Sequence, residues 1–114
     1  MKNVEYYLEQ GFDRRTAEYF AAGRRTIVSA ILAEDFTILL AFDNGERRRL
    51  DMKPAIKPGT VFAFLSEPAS FLRAYLDEFH CVCWDIDPAV DSREVWSNKV
   101  DLCPDICYIE SLPV

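Results

Sequence analysis

The chain is poor in the residues that usually announce chemistry. Its 114 residues include four glycines, none of them clustered, so there is no glycine-rich loop to cradle a phosphate. The one histidine, His80, has no Ser or Cys with an orienting carboxylate around it in a recognisable pattern, which argues against a catalytic base. No apolar run is long enough to cross a bilayer. The amino-terminal stretch "MKNVEYYLEQ" is polar and amphipathic, unlike a secretory signal. These absences lead us to expect a soluble, cytoplasmic, non-enzymatic protein.

Basic residues are scarce in one part of the chain only. Residues 77–114 hold 2 Lys/Arg against 9 Asp/Glu, a balance of −7, whereas residues 1–76 hold 11 against 10, a balance of +1. Binding nucleic acid directly through a broad basic face is therefore disfavoured. A basic protein partner suits the acidic part better, although most acidic surfaces serve only solubility.

What is present in quantity is apolar. Half the residues are hydrophobic, with 8 Phe, 5 Tyr and 2 Trp, enough for one real core. Val4, Tyr7 and Leu8 fall at helical spacing, and Gly11 closes that segment. Asp13 is placed to cap a second helix with Ala17, Phe20 and Ala21 on one face and Gly23 as its stop. Arg14–Arg15 and Arg24–Arg25 read as the solvated ends of that helix. From Thr26 the pattern becomes strand-like: "TIVSAILA", a break at Glu34–Asp35, then "FTILLAF". "DNG" at 43–45 is a hairpin signal with two turn positions that want positive φ. It puts Arg47, Arg48 and Arg49 on a strand, with Arg48 on the opposite face from its neighbours, and we expect an exposed edge strand. Ser66 is a candidate cap for a brief helix through "EPASFLRA". "AYLDEFHCVCWDI" reads as a second hairpin turning at Asp77–Glu78–Phe79, and "CPDICYIE" as a short terminal helix with Pro at its first position. The sum is an α+β fold: N-terminal helices, an antiparallel sheet of four to six strands built from hairpins, and a short C-terminal helix. Residues 1–25 form the helical segment and residues 26–114 the α+β domain.

Several spaced stretches resemble a known family. "FDNGERRRLDMKP", "GTVFAFL…FLRAYLD" and "WSNKVDLCPDICY" are similar in order to domain of unknown function 2442, a group of small bacterial proteins. The last stretch looks like the family's ending, at Trp96, Asn98, Asp101, Pro104, Asp105 and Tyr108. Lys99 departs from the Gly usual after the Asn, and "DIDPAVDSREV" resembles an insertion. The resemblance implies a small mixed sheet and an association with small partner proteins. It brings no catalytic residues.

The four cysteines lie in two stretches, "HCVCWDID" and "LCPDIC". A disulfide framework is foreign to a cytoplasmic protein, which leaves metal or buried thiols. Cys81 and Cys83, two apart on a strand, share a face, and Cys103 and Cys107 bracket the first turn of a helix. A structural zinc site on Cys81, Cys83, Cys103 and Cys107 is one reading, aided by a helix start that would lower thiol pKa values. Four core thiols is the other, and strand alternation would turn His80 away from the Cys81/Cys83 face. Asp85, Asp87, Asp91 and Glu94 are the candidate binding residues of the acidic surface. "DIDPAVD" lacks the glycine and terminal Glu of a calcium loop. The function expected is a small protein-interaction module, zinc-stabilised if the thiols converge. The alternative is an inhibitor of a nucleic-acid-handling enzyme, antitoxin or anti-CRISPR-like, acting through its acidic face. An enzyme with a reactive cysteine is the least favoured class.

Overall fold

A computed structural model of the chain describes residues 2–114. Helices α1 (Val4–Glu9) and α2 (Arg14–Ala22) open the fold, each begun by a side-chain cap. Asn3 Oδ1 accepts the Tyr6 N–H at 3.0 Å, and Asp13 Oδ1 accepts the Thr16 N–H at 2.8 Å. Three strands follow as a meander: β1 (Ile27–Leu32), β2 (Thr37–Phe42) and β3 (Arg47–Asp51). A short 3-10 turn (Ala63–Leu65) and helix α3 (Pro68–Phe71) lead to the hairpin of β4 (Tyr75–Leu76) and β5 (Val82–Asp85). A second 3-10 turn (Trp96–Asn98), β6 (Lys99–Leu102), α4 (Pro104–Glu110) and β7 (Leu112–Pro113) complete the chain.

The α+β expectation holds, with the strands divided between two antiparallel sheets. The first has the order β1-β2-β3-β7 and the second β4-β5-β6. The edge assignment for Arg47–Arg49 is corrected by this topology. After α4 the chain returns so that Leu112 and Pro113 pair with Arg49 and Arg48, placing β3 inside the sheet. The turn type is corrected as well. Gly45 N–H donates to Phe42 O at 3.0 Å and Phe42 N–H to Glu46 O at 2.9 Å, a three-residue loop in which Gly45 alone takes positive φ (86°). The N-cap of helix α3 is Glu67, not Ser66, and its side chain makes no capping bond; Pro68 fixes the first turn.

Alternation decides the core. Ile38, Leu40 and Phe42 of β2 point inward with Ile27 and Leu50, and meet Val82 and Trp84 of β5, Leu65, Phe71 and Cys107. Trp84 stacks on Phe71 at 5.9 Å between centroids and donates its Nε1–H to Phe71 O at 2.9 Å, so the largest core side chain is also polar-satisfied. The N-terminal helices pack beside this core. Tyr7, Phe12 and Phe20 form an aromatic cluster of their own, and Tyr19 lies 5.0 Å from the Tyr108 ring of α4.

Candidate interaction surface on the second sheet

In β5, Val82 and Trp84 face the core, so Cys83 and Asp85 face the other way. Register sets Tyr75 and Asp101 beside Cys83, and Lys99 beside Asp85. The outer side of this sheet is therefore polar. Asp77 organises the hairpin: its Oδ1 accepts the N–H groups of Phe79 and Cys81, each at 3.0 Å, and its Oδ2 holds Lys99 Nζ at 2.9 Å. Burial alone would raise the Asp77 pKa. The Lys99 ammonium and those two N–H groups outweigh it and hold the carboxyl below its usual range. Asp85 Oδ1 accepts Tyr75 Oη–H at 2.7 Å and Ser92 Oγ–H at 2.6 Å. Burial, then that bond to Asp85, pushes the Tyr75 phenol up to about 12.

The loop from Ile86 to Val95 is folded around one buried amide. Asn98 Oδ1 accepts the Asp87 N–H at 2.9 Å, and its Nδ2 donates to Asp87 O at 3.1 Å and Ser92 Oγ at 3.0 Å. Asp87 and Asp91 each accept an N–H two residues on, from Ala89 at 3.0 Å and Arg93 at 2.9 Å. Arg93 also partners the Asp91 carboxylate at 3.3 Å. So the four predicted binding residues differ. Asp91 has a cation, Asp85 is tied to two hydroxyls, Asp87 shapes a turn, and Glu94 is free of such bonds among the described residues. Sequence reasoning did not single out Asn98 as the hub or Asp77 as the clamp. The only advance signal was Asn98's place in the ending motif.

The four cysteines are free thiols, and no three of their sulfurs lie within 4.8 Å of one another. The pleat separates Cys83 from Cys107, since Cys107 is buried in the core and Cys83 on the opposite side of β5; Cys103 and Cys81 lie near enough to Cys107 to help raise its thiol. Among the described residues the one group of potential ligand atoms that close is Asp77, Cys83 and Asp101. Lys99 already occupies Asp77 there. The expected lowering of thiol pKa is reversed at three positions. Burial, with nearby carboxylates or sulfurs adding to it, pushes Cys81 to about 11 and Cys83 and Cys107 to about 12. His80 is not on a strand at all. It sits exposed in the β4–β5 turn at φ 62°, with Nδ1 3.2 Å from Ile27 O.

Beside this surface the apolar residues Ile86, Val95 and Trp96 are exposed, and Trp96 is 83% so. No helix among the described residues is long and apolar enough to cross a membrane. Compared with family models, curated proteins and solved structures, the chain matches none. The expected likeness to domain of unknown function 2442 gains no support from these comparisons. Three of the residues quoted for it do structural work here: Asn98 as described, Asp105 on Tyr19 and Arg24, and Tyr108 on Glu46.

Proposed function

We propose that the chain is a small, cytoplasmic, non-enzymatic protein-interaction module whose contact surface is the acidic outer side of the second sheet with the loop above it. The observation that carries this reading is Trp96, left 83% exposed beside Glu94 and the Asp85–Asp91 loop. A tryptophan offers about 150–250 Å² of contact area, and such residues dominate binding where they enter a partner's pocket. Among the described residues Asp85, Asp87, Glu94 and Asp101 pair with no cation, so the complementary partner is basic with an apolar slot. The reading needs no zinc, since the loop is held by Asn98 and the hairpin by Asp77.

A pulldown with the immobilised protein should retain one stoichiometric basic protein. Trp96→Ala should weaken that retention by about tenfold or more, in the range of an anchoring aromatic, with the melting curve unchanged. Reversing Asp85, Asp87, Asp91 and Glu94 to Lys should abolish it. Equal retention by these variants, or no specific partner at all, would overturn the proposal. The same unpaired carboxylates favour a second reading, an inhibitor seated in the phosphate channel of a nucleic-acid-handling enzyme. The identity of the retained protein separates the two.

A further inference from the structure

Three guanidinium groups line one small pocket where α2, β3 and α4 meet. The pocket measures about 220 Å³ and is walled by Arg15, Arg25 and Arg48, the rings of Tyr19 and Tyr108, and Glu18. Drug-sized ligands fill about 300–1,000 Å³, so its occupant is smaller.

Backbone and hydroxyl groups, not carboxylates, aim the two inner arginines. Arg25 donates from Nε to Gly23 O at 3.0 Å and from Nη2 to Ala22 O at 3.2 Å, closing the end of α2. Glycine is needed at 23 for two reasons: φ is +105°, and a Cβ there would stand 3.2 Å from Arg25 Nη2. Arg48 donates from Nε to Ser111 Oγ at 2.8 Å and from Nη2 to Ser111 O at 2.7 Å, and lies 4.3 Å from the centre of the Tyr108 ring. Their side chains are only 26% and 12% exposed. In both, Nη1 makes no hydrogen bond among the described residues.

Each of these arginines has a carboxylate within 4 Å, and Arg15 donates a long hydrogen bond to Glu110. Asp43 is 3.8 Å from Arg25 Nη1, Glu46 is 3.7 Å from Arg48 Nη1, and Glu110 is 3.4 Å from Arg15 Nη2. A formed charge-assisted hydrogen bond is about 2.7–2.9 Å. The contrast is Arg24, which grips both oxygens of Asp105 at 3.1 and 2.5 Å. None of Asp43, Glu46 and Glu110 lines the pocket, whose charged wall is Arg15, Arg25 and Arg48 against Glu18, a net of +2.

We propose that this pocket binds the phosphate group of a small ligand. A phosphate carries about −1.5 to −2 charges near neutral pH and offers several acceptor oxygens, which matches the net charge of the pocket wall and its three guanidinium groups. A carboxylate would supply half that charge.

Titration calorimetry at matched ionic strength tests this with inorganic phosphate and, separately, O-phosphoserine. At least one should bind saturably at a single site. Arg25→Gln should weaken binding by about tenfold or more, the loss of one charge-assisted hydrogen bond. Arg15→Gln should weaken it severalfold, and Lys57→Gln, which is not in the pocket wall, should leave it unchanged. Because Arg25 also closes α2, circular dichroism accompanies that variant, and the exposed Arg15 decides the matter if Arg25→Gln unfolds. Tighter binding of inorganic phosphate marks a free-ion site, and tighter O-phosphoserine marks a phosphate on a small organic stem; either supports the proposal. It is overturned if neither ligand saturates, if succinate binds as tightly, or if Lys57→Gln loses as much as Arg15→Gln.

Discussion

The two sheets share one core but are held in place by different means. The first has three strands of five or six residues beside the two-residue β7, and alternating apolar side chains on β1 and β2 supply its grip. The second has strands of two, four and four residues; β5 sends Val82 and Trp84 into the core, and Leu76 of β4 and Leu102 of β6 pack only against its edge. So little apolar area would not fix it alone. Polar side chains do the rest: Asp77 on Lys99, Asn98 on the loop backbone, Trp84 on Phe71 O. The first sheet is thus an apolar construction and the second a polar one hung on a single large anchor.

The sharpest way to break the comparison is to remove that anchor. Trp84→Ala deletes the stacked ring and leaves Phe71 O without its donor, so we expect a loss of about 3–5 kcal/mol. Urea denaturation checks it. A cost under about 1 kcal/mol would mean that the polar contacts hold the second sheet without the tryptophan.

A smaller effect separates the polar devices by pH. Asp77 in the second sheet and Asp105 against Arg24 both have pKa values held below the usual carboxylate range. In each, burial pushes up and is outweighed, at Asp105 by hydrogen bonds from Arg24 and Tyr19. A carboxyl whose folded pKa lies below its unfolded value of about 3.9 contributes stability above that value and loses it as pH falls through the folded one. Asp77→Asn should therefore cost about 1.5–3 kcal/mol at pH 7, the range for hydrogen bonds to a charged group. The gap to the unsubstituted protein should close as pH drops below about 4. A gap that persists at pH 2 would show that shape, not charge, is what Asp77 supplies.

These differences explain what the sequence allowed one to read. The helix caps, the meander, the second hairpin and the terminal helix all announce themselves through Asp13, the apolar alternation of "FTILLAF", Glu78–Phe79 and Pro104. Strand β7 does not, because two residues carry no periodicity, and without it β3 looked like an edge. The expected convergence of the cysteines rested on sequence spacing alone. Spacing says which residues share a face of one element, not which side of a sheet a helix will cover, and α4 placed Cys107 in the core, across β5 from Cys83. The arginine pocket was hidden for the same reason. Arg15 and Arg25 sit at opposite ends of α2 and Arg48 on a distant strand, and only docking of α2 against α4 brings them to one cavity.

The smallest effect lies within the first sheet, where two turns of the same design carry different residues. Phe36 N–H donates to Ala33 O at 3.1 Å and Ala33 N–H to Thr37 O at 3.0 Å, the pattern that Gly45 and Phe42 repeat at the next turn. The left-handed residue is Gly45 in one and Phe36, at φ 65°, in the other. A bulky residue there costs about 1–2 kcal/mol of backbone energy, which explains why "DNG" reads as a turn and "EDF" only as a break. Phe36 tolerates the cost because its ring packs on Phe71 at 5.3 Å, within the core's rim. At Gly45 no atom lies within 4 Å of an added Cβ, so Gly45→Ala should cost about 1 kcal/mol through the backbone alone, and Gly45→Asn less. Phe36→Gly relieves the backbone but forfeits the ring, and should destabilise by more than Gly45→Ala does. If thermal melts show Phe36→Gly to be the milder change, the ring is not what holds β1 to β2, and the apolar account of the first sheet fails at its first turn.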